Sequence, residues 1–141
     1  MKKTRLALIQ MKMSSEKEKN IAKAILKIKS AKKRGADIVC LPELFLTKYF
    51  CQTEKHSNFN LAENIPGPTT ATFSSIAKKL NIILIISIFE KRTSGIYHNS
   101  CIVINEHGKI LGKYRKMHIP DDPQYYEKFY FTPGDLGFKS F

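Results

Sequence analysis

Apolar and polar positions along the chain follow two rhythms. Leu6-Ala7-Leu8-Ile9 is a short apolar run within Arg5 to Met11, bounded by polar residues. Such a run suits a strand covered on both faces. After Ser14-Ser15 the rhythm becomes helical, with Ile21, Ala24, Ile25, Ile28 and Ala31 recurring every three or four positions. Ser15 and Glu18 have capping-box spacing. Lys19, Lys23, Lys27 and Lys29 fill the remaining face, and Gly35 is suited to ending the helix. Asp37 to Leu41 is a second buried strand, closed by Pro42. Strand, helix, strand in this order implies a parallel pair with the helix packed outside.

Thr47 to Pro68 has no clear period and holds Asn58, Asn60, Asn64 and Pro66-Gly67-Pro68. It reads as a long loop, and loops beyond about 12–15 residues in compact domains are commonly functional. Thr69 or Thr70 is placed to cap a helix through Leu80, with Phe73, Ile76, Ala77 and Leu80 on one face and Asn81 at its end. Ile82 to Phe89, Ile96 to Asn105 and Lys109 to Arg115 read as three more strands. The turn Asn105-Glu106-His107-Gly108 makes a hairpin of the last two. Beyond Pro120 come Tyr125, Tyr126, Phe129, Tyr130 and Phe131, then Pro133-Gly134-Asp135. Two amphipathic helices cannot cover both faces of such a sheet. The chain therefore reads as one part of a larger α/β domain, or as half of an assembly.

Composition narrows the class. The length, 141 residues, fits one domain. A 43% hydrophobic and 26% charged balance argues against disorder. No apolar stretch reaches the roughly 18–20 residues of a bilayer span, so no membrane partner is expected. Leu6 to Met11 is too short for a secretory core and contains Gln10. Three Cys without a CxxC pair suit a reducing cytoplasm rather than a disulfide framework. The net charge of +12 raises the question of nucleic acid. Only Arg5, Arg34, Arg92 and Arg115 are arginines, however, and the lysines lie mostly on the first helix and at strand ends. With no helix-turn-helix, zinc-finger or stacking motif, the charge reads as a solvated surface and nucleic acid is not expected as a partner.

Three residues stand out chemically. Glu43 is the lone carboxylate in Ile38-Val39-Cys40-Leu41-Pro42-Glu43-Leu44-Phe45-Leu46. A carboxylate buried in such a run needs a partner or a raised pKa. It also follows a parallel strand at the end where open α/β sheets bind ligands; the plainer reading is a Glu that pairs a Lys or caps a loop. Lys116, in Tyr114-Arg115-Lys116-Met117-His118-Ile119-Pro120, follows a strand and could stabilise an oxyanion, or be one more solvated Lys. Glu127, among Tyr125, Tyr126, Phe129, Tyr130 and Phe131, is either a shielded acid or a surface Glu paired with Lys128. His56, His98, His107 and His118 have no metal-site spacing. Cys40 and Cys101 read as core side chains within strands, and Cys51 as the one thiol near a site, in the loop after Glu43.

Leu41-Pro42-Glu43-Leu44-Phe45 together with Tyr114-Arg115-Lys116-Met117-His118 resembles the nitrilase superfamily of carbon–nitrogen hydrolases. Leu6-Ala7-Leu8-Ile9-Gln10-Met11, Gly35-Ala36-Asp37-Ile38-Val39, Ile65-Pro66-Gly67-Pro68 and His98-Asn99-Ser100 extend the resemblance over essentially the whole chain. Tyr49-Phe50-Cys51-Gln52 and the stretch from Asp121 to Asp135 are similar to the N-carbamoylputrescine amidase branch. The β-ureidopropionases and other N-carbamoyl amidases match less well. Gln124 departs from that pattern, which favours a small residue there.

The resemblance implies an αββα four-layer sandwich, of which this chain is the N-terminal portion, usually paired into a homo-oligomer. It implies a small-molecule amide or ureide substrate, polyamine synthesis as the setting, and no cofactor or metal. It implies Glu43 as general base, Lys116 as oxyanion stabiliser and Glu127 as a second acid supporting Lys116, with Tyr49, Cys51 and Tyr125 near the substrate. The family's nucleophilic Cys falls beyond Phe141, and none of Cys40, Cys51 or Cys101 matches it. The expectation is a chain inactive alone. A non-catalytic fragment of a pseudoenzyme is the alternative.

Overall fold

Hydrophobic periodicity becomes a single sheet with its two long helices on one side. The computed structural model describes residues 3–141. Its elements are β1 (Leu6–Leu8), α1 (Lys17–Lys33), β2 (Ile38–Cys40), a 3-10 turn (His56–Leu61), α2 (Pro68–Leu80), β3 (Ile83–Thr93), β4 (Ile96–Ile104), β5 (Ile110–Arg115) and a short α3 (Glu127–Tyr130). The strands lie in the order β1-β2-β3-β4-β5. β1, β2 and β3 are parallel, while β3, β4 and β5 run antiparallel in turn. The β4–β5 hairpin is as expected. The β3–β4 hairpin through Ser94-Gly95 was not, because polar residues extend β3 to Thr93, past the apolar run that marked it.

The two faces of this sheet differ. Val39, Leu84 and Ile104 share one row, with Ile86 and Ile102 in the next. These side chains are buried beneath Ala24, Ile28 and Ala31 of α1 and Phe73 and Ala77 of α2. On the opposite face Leu8, Cys40, Ile85 and Val103 form a row, followed by Ser87, Cys101 and Tyr114. Neither α1 nor α2 packs there, and α3 reaches only its Phe89 end. Phe138 stacks on Tyr114, and Phe141 lies so close over Gly112 that a Cβ would fall 1.8 Å from its ring. Leu6 and Leu8 remain 55% and 69% exposed. The expectation that β1 and β2 are covered on both faces is therefore corrected. This chain supplies one helix layer on one sheet, half of an αββα order.

Local chemistry sets the element ends, not always as expected. α1 begins at Glu16 with no side-chain cap, so the Ser15–Glu18 box does not form. Fully buried Asn20 takes over instead. Its amide pairs with the backbone N–H and C=O of Ser14 at 2.7 and 2.8 Å and donates to the Leu46 carbonyl at 2.9 Å. The end of α1 follows the reading. Gly35 at φ +83 donates to the Lys32 carbonyl, and Ala36 to the Ala31 carbonyl, which is a Schellman motif. α2 is capped at Gly67 rather than at Thr69 or Thr70. Pro68 supplies the first helical φ, and the Thr70 hydroxyl accepts the Gly67 N–H at 2.6 Å. Asn81, at φ 50, ends it.

The stretch from Thr47 to Pro68 is not an open loop. Its 3-10 turn delivers Phe59 into a second, aromatic core of Leu44, Phe50, Cys51, Phe89, Tyr130 and Phe131. A buried ion network then fixes the end of the sheet. Glu90 accepts from Arg115 Nε and Nη2 at 2.9 and 2.8 Å, from Ser100, and from Lys113. Arg115 Nη1 and Arg92 both reach Asp135, at 2.8 and 2.6 Å. Gly134 donates to the Lys116 carbonyl at 2.8 Å, in a space where a Cβ would strike the Arg115 carbonyl. Burial works against the charge of Glu90, but Arg115, Lys113 and Ser100 outweigh it and hold the carboxyl at about 2.

Two outcomes follow from these features. A Glu90 carboxyl held below its ordinary value of 4.5 contributes stability that is complete above that value and is lost as pH falls from 4.5 toward 2. Denaturant titrations should show stability falling across that window. Glu90→Gln should flatten the fall and cost about 3–5 kcal/mol at neutral pH, because it removes the buried one of the two carboxylates that pair Arg115. An unchanged acid limb would refute this role. The uncovered apolar face and the unpaired edge of β1 should make the isolated chain self-associate at micromolar concentration despite its charge. Sedimentation should show Leu6→Lys/Leu8→Lys reducing that association; a monodisperse, cooperatively unfolding parent would contradict it.

Candidate active site

β2 ends at Cys40, and Pro42 turns the chain. Leu44 takes a left-handed φ of +48, uncommon for a side chain without a local hydrogen-bonding group. Its N–H is held by Ser87 Oγ at 3.1 Å, while Asn20 holds Leu46. This turn sends Leu44, Phe45 and Leu46 into the cores and leaves Glu43 facing the open side of the sheet. The Glu43 side chain is 55% exposed, which corrects the expectation that its apolar neighbours bury it.

Lys116 continues the ladder beyond β5, its N–H donating to the Asn99 carbonyl at 2.9 Å. Its ammonium lies 2.8 Å from Glu127 Oε2 and 3.5 Å from Glu43 Oε1. Glu127 opens α3 and is 3% exposed. Its other oxygen accepts the Tyr49 hydroxyl at 2.9 Å. Its ion-pair partner is therefore Lys116 rather than Lys128. Asn99 on β4 donates Nδ2 to Glu43 Oε1 at 2.6 Å. Glu43, 73 residues before Lys116, thus meets Lys116 and Glu127.

Electrostatics fix the protonation of the middle members. Burial works against the Lys116 charge, but the Glu127 hydrogen bond and the two carboxylates outweigh it and raise its pKa. Lys116 is therefore an ammonium, a donor rather than a nucleophile. Burial, then the hydrogen bond to Glu127 and its charge, raise Tyr49, so its phenol stays protonated. Burial, then the Glu127 charge, push the Cys51 thiol up to about 12. Cys51 is fully buried in the aromatic core and is closed to a ligand, unlike the loop thiol expected.

An open cleft of about 310 Å³ lies on the uncovered face beside these groups, lined by Glu43, Lys116, Asn99, Cys40, Cys101 and Tyr114 among others. Cys40 and Cys101 are therefore partly buried cleft residues, not core ones. Burial raises both thiols, so neither is primed as a thiolate. Tyr49 spends its hydroxyl on Glu127, and Tyr125 is exposed with its ring 5.9 Å from that of Tyr49. Gln124 has φ +68, in the left-handed region that favours glycine. Among the described residues no cluster of three or more His, Cys, Asp or Glu is arranged to hold a metal, and no helix is long and apolar enough to cross a membrane. The residues that sequence reasoning missed are Asn20, Ser87 and Asn99. Only Asn99 carried a signal, as the middle of His98-Asn99-Ser100.

Comparison with known proteins places the fold in a family. An N-carbamoylputrescine amidase of Solanum lycopersicum is 41% identical over 137 residues, covering 96% of this chain and 45% of the relative. A citrullinase of Francisella tularensis is 40% identical, covering 96% of this chain and 47% of the relative. The crystal structure of a carbon-nitrogen hydrolase from Helicobacter pylori G27 superposes with a TM-score of 0.92 at 44% identity, over 96% of this chain and 46% of that one. The chain thus spans about half the length of the curated relatives it matches. The carbon-nitrogen hydrolase family model matches residues 5–141. With that match running over the whole sheet and through Glu43, Lys116 and Glu127, the chain belongs to the carbon–nitrogen hydrolase family.

Proposed function

We propose that this chain is the N-terminal half of a hydrolase that cleaves a non-peptide C–N bond of a small ureide, N-carbamoylputrescine first among them. The observation that carries this reading is the Lys116 ammonium held between Glu43 and Glu127 at the mouth of a cleft. Two relatives of similar identity are named for ureido compounds, which favours R–NH–CO–NH2 over a simple amide. The nucleophile is a Cys carried by the remainder of the domain, which also covers the open face.

In this reading Glu43 takes the thiol proton as the sulfur adds to the ureido carbonyl carbon. Lys116 stabilises the oxyanion, and its charge is kept by Glu127, itself held by Tyr49. The tetrahedral adduct collapses, expelling ammonia with the proton returned from Glu43 and leaving a thiocarbamate on sulfur. Water, deprotonated by Glu43, then adds to the carbonyl carbon and the C–S bond breaks, the proton on Glu43 returning to the leaving sulfur. The carbamic acid released decomposes to amine and CO2. A carboxylate and an ammonium prepare this attack but cannot make it.

Ammonia release tests the reading. The 141-residue chain should give no turnover of N-carbamoylputrescine, and Cys51→Ser should change nothing. A longer protein joining this chain to the rest of its domain should turn over. In it, Lys116→Ala should lower kcat by at least roughly 100–1,000-fold and Glu43→Gln by on the order of 10⁴-fold. Turnover by the short chain that disappears in Cys51→Ser would overturn the proposal.

A further inference from the structure

The His98-Asn99-Ser100 stretch of β4 sends its side chains to both sides of the sheet. His98 Nδ1 pairs with the Thr132 carbonyl at 2.9 Å, and Ser100 donates to Glu90, both on one side. Asn99 points the other way, to the open face. Its backbone carbonyl accepts the Lys116 N–H, and its Nδ2 donates to Glu43 Oε1 at 2.6 Å. Lys116 Nζ reaches that same Oε1 at 3.5 Å. Among the described residues no hydrogen bond falls on Glu43 Oε2.

The orientation of the Asn99 amide is set by a closed ring of contacts. Ser87 Oγ accepts the Leu44 N–H at 3.1 Å. Its hydroxyl hydrogen is then free for Asn99 Oδ1, 3.4 Å away. With Oδ1 turned to Ser87, the NH2 group faces Glu43, and Leu44 is the residue bonded to Glu43. The ring therefore closes on the carboxylate it orients. Occupying one carboxylate oxygen with a donor leaves the other as proton acceptor.

We propose that Asn99 is a positioning residue for Glu43: with Ser87 it fixes the carboxylate through Oε1, so that Oε2 is the oxygen presented to the cleft to take the proton. The proton-accepting part rests on the hydrolase reading; the fixing of the carboxylate does not.

The test is a carbon-13 carboxyl titration of Glu43 in the 141-residue chain, its resonance assigned by loss in Glu43→Gln. Asn99→Asp turns the donor into a facing second carboxylate, and the Glu43 midpoint should rise by roughly one pH unit or more. Asn99→Ala removes the donor without adding charge and should give a smaller rise. Asn99→Ala also keeps the test if Asn99→Asp does not fold. Carbodiimide–amine labelling of Glu43, which requires the protonated carboxyl, should rise in parallel by peptide mass mapping and tolerates a self-associating sample. A midpoint and a labelling rate unchanged in both variants would overturn the proposal. Neither readout uses turnover, so shifted titration in a protein that never hydrolyses a ureide would reject the hydrolase reading and keep this one. In an active longer protein, Asn99→Ala should move the acid limb of the kcat/KM profile to higher pH; an unmoved limb would count against Oε2 as the proton acceptor.

Discussion

An ammonium shared by two carboxylates is the constraint on which this structure turns. Lys116 Nζ stands 2.8 Å from Glu127 and 3.5 Å from Glu43. Those two acids have no reason to approach each other unless the cation lies between them. Each arrives by a different route: Glu43 after a parallel strand, Lys116 on an extension of β5, Glu127 at the start of a four-residue helix. The surrounding framework limits how far any of them can drift. Asn20 and Ser87 hold the turn after Glu43, Gly134 and Asn99 hold the Lys116 backbone, and Tyr49 holds Glu127.

The sheet makes this possible by being different on its two faces. Apolar rows under α1 and α2 provide the burial that holds the strands in register. The other face is left free to carry a cleft. Glu90 and Arg115 lie on the face opposite that cleft and, with Asp135, tie the Pro133-Gly134-Asp135 segment to the end of β5. The position of Arg115 next to Lys116 in sequence couples the stability of the sheet end to the placement of the lysine.

Much of this was legible in the sequence because it rests on local rules. The helical period of Ile21 to Ala31, the αL end at Asn81 and the Schellman glycine at Gly35 each follow from neighbouring residues alone. Glu43 and Lys116 were visible for the same reason, through their strand-end settings, and Glu127 through its aromatic neighbours. What was not legible depends on tertiary contact. Asn20 lies in a Lys-rich helix, yet it is buried because its amide satisfies three backbone groups at once. Glu43 sits in an apolar run but is exposed, because Leu44 turns through a left-handed φ. Cys51 was placed in a loop, yet aromatic packing encloses it; Cys40 and Cys101 were placed in the core, yet the missing second layer leaves them at the cleft. One-dimensional patterns say that a strand is apolar, not which of its faces is covered.

Under the proposed function Glu43, Lys116 and Glu127 are the base, the cation and the supporting acid around a reacting carbonyl, and the attacking sulfur is brought by another part of the domain. The most direct measurement is to quench a longer protein containing this chain during turnover of a ureide and map the covalent adduct by peptide mass spectrometry. The account requires a carbamoyl adduct on a cysteine outside residues 1–141, formed far more slowly when Glu43 is replaced by Gln. An adduct on Cys40, Cys51 or Cys101 would contradict it.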